Sequence, residues 1–105
     1  MSSDAQQGFA SFGEFYAFYL GEHRDTTCRR LHFTGTSFAL GFIVLAVVSG
    51  NPWWFLAALL SGYAFAWIGH FFFEKNRPAT FKHPFYSFAG DWVMYKDILV
   101  GKIPF

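Results

Sequence analysis

Four hydrophobic patterns succeed one another along the chain. From Phe9 to His23 the apolar residues Phe12, Phe15, Tyr16, Tyr19 and Leu20 recur at helical spacing, with Glu14 and Glu22 toward the opposite side. This predicts an amphipathic helix over about 9–24, too short and polar to span a bilayer, lying at a membrane surface or packed on other helices. Asp25, Thr26 and Thr27 stop that helix and restart the chain, a threonine being suited to cap the next helix. Residues 31–50 and 53–73 then contain no Asp, Glu, Lys or Arg. Runs of about 20 such residues rise about 30 Å as helices, the thickness of a hydrocarbon layer. Gly50, Asn51 and Pro52 make the turn between them, so the two runs form a transmembrane helical hairpin. Ala58, Gly62 and Ala66 offer a small-residue stripe to Gly35 and Ala39 of the partner helix. A buried hairpin of a soluble domain is the competing reading; the spanning length of both runs favours the membrane.

After Glu74 the chain leaves through Lys75 to Pro84, extended near His83 because a residue before proline is driven out of the helical region. A last segment, about 85–100, carries Phe88, Trp92, Tyr95 and Leu99 on one side with Asp91 and Lys96 elsewhere. It reads as a second amphipathic interfacial helix closed by Gly101, while residues 1–8 are expected to fray. The fold class expected is therefore an all-α membrane protein, a transmembrane hairpin flanked by two interfacial helices, in a single domain 1–105.

Composition sharpens this picture. The chain is 53% hydrophobic and 14% charged, with 16 phenylalanines, and its charges are absent between Arg30 and Glu74. A soluble domain of this size has too little polar surface to tolerate that segregation. The net charge of +1 gives nucleic-acid binding no electrostatic support. Cys28 stands alone, so no internal disulfide forms, and it is expected to be a small packing residue. Met1 to Gly8 lacks a basic region leading straight into an apolar run, so no cleaved signal is expected. Arg24, Arg29 and Arg30 precede the first span and Lys75, Arg77 and Lys82 come after the second, which places both termini in the cytoplasm and Trp53 and Trp54 at the far interface.

The candidate chemistry lies at the charged end. His70 sits four residues before Glu74, on one helical face, where an ionisable ring must pair, face a polar cavity or bind metal. His32 is nineteen residues before Asn51 and His70 nineteen after it. Equal distance from the turn means equal depth in an antiparallel hairpin. His23 and His32 would face opposite ways on one continuous helix, about 180° apart, so they converge only if the chain breaks at Asp25–Thr27. All four histidines, His23, His32, His70 and His83, thus gather at one interface, a nitrogen-rich set that suits iron, zinc, copper or nickel. A hydrogen-bonded cluster without metal is the plainer alternative. Glu74 and Tyr19 are the candidate catalytic groups, Glu74 as ligand, ligand support or proton carrier. Asp91 is a further candidate whose plainer reading is a solvated helix face. Tyr63, Asn76 and Ser87 are possible supporting donors. Arg29, Arg30, Lys75, Asn76 and Arg77 ring the same mouth as candidate substrate-binding residues, the basic ones suited to a carboxylate or phosphate headgroup.

These motifs resemble the Mpo1-like family. The matching residues are Phe15-Tyr16-Ala17-Phe18-Tyr19 with His23, Arg29-Arg30-Leu31-His32 with Gly35, the block Gly62 to Ala79, and His83-Pro84 with Ser87, Asp91 and Met94. The likeness covers about residues 12–103, and Gly69 to Ala79 is its most specific part. The resemblance implies a non-haem Fe(II)-dependent dioxygenase that shortens a 2-hydroxy fatty acid by one carbon, with O2 as co-substrate and the acid's carboxylate at the basic mouth. The fungal branch carries a different segment after the equivalent of Pro78-Ala79, so the resemblance supports His83 least. The short form resembles bacterial members, which implies an integral protein of the inner membrane and allows a homo-oligomer to complete the lipid site. Haem or zinc at the histidines, or an inert structural module, are the rival readings.

Overall fold

The computed structural model describes residues 9–78 and 81–105; the expected frayed end over 1–8, and Ala79 of the most specific block, lie outside them. Among the described residues every regular element is helical, in the order α1 (Phe12–Gly21), α2 (Thr26–Ser49), α3 (Trp53–Ile68) and α4 (Pro84–Leu99), with a π-helical segment, Gly69–Glu74, continuing α3. The all-α hairpin expected from the sequence is what is found.

Local chemistry explains where each helix begins. Ser11 caps α1 by accepting the Glu14 N–H at 3.3 Å, while the Glu14 carboxylate accepts the Ala10 N–H at 3.2 Å. The cap of α2 is Asp25, which accepts the Cys28 N–H at 2.9 Å, and not the expected threonine. The carboxylate is the stronger acceptor at a helix start, and its use lets Thr26 and Thr27 join the first turn. Gly50 ends α2 at φ 70°, a left-handed conformation that glycine adopts without strain, and Asn51 accepts the Trp53 N–H at 3.0 Å to start α3. Pro84 opens α4 where its missing N–H costs nothing.

Helices α2 and α3 form the antiparallel hairpin. The helices approach closely at Gly35, where a β-carbon would lie 2.7 Å from Phe65 Cβ, and the stacked pairs Phe38–Phe65 and Phe42–Trp54 continue the seam. Thr26–Ser49 and Trp53–Glu74 are each long and apolar enough to cross a membrane. Their outer faces are apolar and exposed, as at Val44, Val48, Leu56 and Leu60. Helices α1 and α4 pack together over a core of Phe15, Tyr19, Met94 and Ile98. Ser37 Oγ lies 3.0 Å from the Tyr95 hydroxyl and Phe33 stacks on Tyr95, joining α4 to α2 near the open end of the hairpin. The small pair thereby roofs the end where the histidines meet.

Candidate metal centre

Three elements each deliver one histidine. His23 comes directly after α1, His32 lies in the second turn of α2, and His70 is in the π-helical segment. All three are buried, at 2%, 5% and 2% exposure. Their ring centroids stand 4.5 to 4.9 Å apart with planes nearly perpendicular. One nitrogen from each lies within 4.8 Å of the other two.

The opposite nitrogens are all committed. His23 Nδ1 donates to the Tyr19 carbonyl at 2.6 Å, and His32 Nδ1 to the Cys28 carbonyl at 2.9 Å. His70 Nδ1 lies 2.7 Å from Asn76 Oδ1. The Asn76 amide nitrogen donates to the Glu22 carbonyl at 3.1 Å, so the atom facing His70 is the oxygen and His70 Nδ1 is the donor. A neutral imidazole with its proton on Nδ1 keeps a lone pair on Nε2. Three lone pairs therefore converge, and His23 Nε2 stands 3.1 Å from His32 Nε2. Two lone pairs at that distance repel unless a cation lies between them. A shared proton would create a buried imidazolium, and burial, reinforced by His32 and His70, holds His23 well below the usual 6.5. The donor set fits a divalent transition metal: three neutral imidazoles, each oriented by a second hydrogen bond.

The π-helical turn is part of the construction. Gly69 packs on α2 so closely that a β-carbon would meet Cys28 Sγ at 3.0 Å and Cys28 Cα at 3.2 Å. Lys75 then takes a left-handed conformation at φ 59°, and the N–H of Asn76 returns to the His70 carbonyl at 3.0 Å. This folds the Asn76 side chain back onto the ring it supports. Glu74 is not directed at the histidines; its carboxylate accepts the Asp25 N–H, tying the end of the π-helical segment to the start of α2. Tyr19 stacks on His23 with centroids 4.0 Å apart, and its hydroxyl donates to Asp91.

A family model described as "2-hydroxy-palmitic acid dioxygenase Mpo1-like" matches residues 9–103. The chain belongs to the Mpo1-like family. No curated protein and no solved structure matches it.

The other sequence candidates occupy distinct places in this Mpo1-like chain. His83 lies outside the three-histidine group, its ring against those of Phe9, Phe15 and Phe18 at 5.0, 5.5 and 6.2 Å. Arg29 reaches back to the carbonyls of His23 at 3.2 Å and Arg24 at 2.9 Å, fixing the loop that carries His23, and its buried Nε has no partner among the described residues. Arg30 is engaged with Phe105, through its main-chain oxygen and ring face. Lys75 is exposed, while Arg77 borders a separate hollow with Phe18, Glu22, Lys82 and His83.

Asp91 corrects the expectation of a solvated helix face. It bonds Tyr19 and lines a groove beside His32, and burial pushes its carboxyl up to about 7, the Tyr19 hydrogen bond opposing part of the rise. The sequence signal existed only as a charge in α4; its partner Tyr19 is 72 residues away.

Proposed function

We propose that the chain is a membrane-embedded, non-haem Fe(II)-dependent dioxygenase that removes one carbon from a 2-hydroxy fatty acid. In this reading α2 and the α3 helix with its π-helical extension span the bilayer, α1 and α4 lie at one interface, and both termini face the cytoplasm. His23, His32 and His70 hold the metal. The observation that carries the proposal is the convergence of three Nε2 lone pairs whose Nδ1 protons are all engaged elsewhere. The family match supplies the reaction class. Rings packed 4.5 to 4.9 Å apart favour a single ion over a macrocycle.

Ferrous iron, when bound, supplies dioxygen activation and open positions for an oxygen-bearing substrate. The reaction balances as 2-hydroxy acid plus O2 giving the one-carbon-shorter acid, carbon dioxide and water. The chain's own residues orient and exclude. Tyr19 and Cys28 carbonyls and the Asn76 amide fix the imidazole tautomers. The stacked Tyr19 ring shields His23 from water. The Asp91 carboxyl, beside the groove and bonded to Tyr19, is the candidate proton carrier. Arg29, whose buried Nε has no partner among the described residues, is the candidate for the substrate carboxylate.

The test is turnover of 2-hydroxypalmitic acid by detergent-purified protein loaded anaerobically with Fe(II), then exposed to oxygen. The expected result is the one-carbon-shorter acid in step with oxygen uptake. Fully metal-loaded protein that consumes no oxygen with this acid would overturn the proposal.

A further inference from the structure

A groove leads away from the three histidines between α2, α3 and α4. His32 and Asp91 stand at its head, Ala39, Gly62 and Ala58 form its floor, and Trp92 walls its outer side. His32 belongs to both the groove and the histidine cluster, so its ring borders both. The seven-residue step from His32 to Ala39 gives the groove a length of about 10 Å along α2. Helix α4 packs on α1 and α2 and makes no extended contact with α3 among the described residues, which leaves the α3–α4 side open.

The small residues of the floor do more than let the helices approach. That approach is made at Gly35, where no side chain fits against Phe65. At Gly62 the nearest neighbour of an added β-carbon is Ala39 Cβ at 4.0 Å, an ordinary contact. An alanine would fit there and would favour the helix by about 1 kcal/mol. Gly62 therefore keeps a space open that packing does not require. A mostly apolar space with His32 and Asp91 at one end, the hydroxyl-bearing Thr36 and Tyr63 as its other polar lining, and an open side at the level of the apolar helices matches a linear amphiphile.

We propose that this groove seats one linear acyl chain, entering sideways between α3 and α4, with its oxygenated head at His32 and Asp91 and its first segment over Ala39, Gly62 and Ala58. Only the nature of the head group rests on the 2-hydroxy acid reading above. Gly62 and Ala58 then set how much of the chain the protein grips. Affinity rises with chain length until about 10 Å of groove is filled, and levels off where further carbons lie in the bilayer.

Photolabelling tests this on the full chain in detergent, under anaerobic conditions that prevent turnover. The probe is a 2-hydroxy fatty acid with a diazirine on its proximal carbons, and the labelled peptides are mapped. Label on Ala39, Ala58 and Gly62, competed by 2-hydroxypalmitic acid, is the expected result. Gly62→Leu, which fills the floor, should cut groove labelling roughly tenfold, the scale of about two buried methylenes, with its metal content unchanged as a check on folding. Label spread over the outer α3 residues Leu56 and Leu60 would overturn the proposal, on the unmodified chain and without any variant. Equal groove labelling by a diazirine-bearing phosphatidylcholine would overturn it as well. Groove labelling in a protein that fails to oxidise the acid would leave the groove standing and remove the oxygenase reading; oxidation with label elsewhere would do the reverse.

Discussion

His23 and His32 bring their Nε2 atoms to 3.1 Å while each gives its Nδ1 proton to a carbonyl four residues back, Tyr19 for one and Cys28 for the other. The same local device is used twice, once at the end of α1 and once at the start of α2. In each case the helix backbone fixes the tautomer, so these two rings are oriented by main chain that no point substitution removes.

His70 differs, because its Nδ1 partner is the side chain of Asn76. Asn76→Ala should therefore weaken metal retention about 10- to 100-fold, as removal of groups that orient a ligand does. Asn76→Asp keeps an acceptor for His70 but sets a carboxylate against the Glu22 carbonyl, and an intermediate loss is expected. Competition against a graded chelator series measures both, and wild-type retention in Asn76→Ala would show that His70 needs no such support.

The hairpin seam gives a stability prediction. A side chain at Gly35 must displace Phe65, so Gly35→Val should cost about 1–3 kcal/mol. Gly41, in the same helix, has nothing within 4 Å of an added β-carbon, and Gly41→Ala should be neutral or stabilising by up to about 1 kcal/mol. Thermal unfolding in one detergent compares them. Equal midpoints for the two variants would mean that the helices do not meet at Gly35.

The pairing of α1 with α4 should depend on pH through Asp97. Its carboxylate accepts the Tyr16 hydroxyl at 2.8 Å, and that bond, helped by Lys96, holds it below the usual 3.8. An acid whose native value is depressed binds fewer protons folded than unfolded. Its stabilisation is complete above the unfolded value and fades as pH falls through the native one. Asp97→Asn should unfold at a lower temperature than wild type at pH 6, and the gap should narrow as pH falls below 3.8. A gap that persists in acid would assign the effect to packing and not to charge.

Much of the site can be read from the sequence by counting residues. Equal distances from the Asn51 turn put His32 and His70 level, and their rings stand 4.9 Å apart. The break at Asp25 turns His23 toward them, as the 180° argument requires. The π-helical turn is not legible, because Gly-His-Phe-Phe-Phe-Glu has the pattern of an ordinary helix and only the backbone over Gly69–Glu74 shows the altered winding. Asp91 is hidden for a similar reason: a carboxylate on an amphipathic helix looks solvated until its distant partner Tyr19 is known. Gathering by interface also places four histidines together, whereas depth alone does not separate His83, set among phenylalanine rings, from the three that converge.

The most direct test is elemental analysis of anaerobically purified protein and of its four single histidine-to-alanine variants. Wild type and His83→Ala should each carry about one iron per chain, the occupancy expected of a single three-imidazole site. His23→Ala, His32→Ala and His70→Ala should each lose it. Iron retained in those three variants, or lost only with His83, would contradict the account.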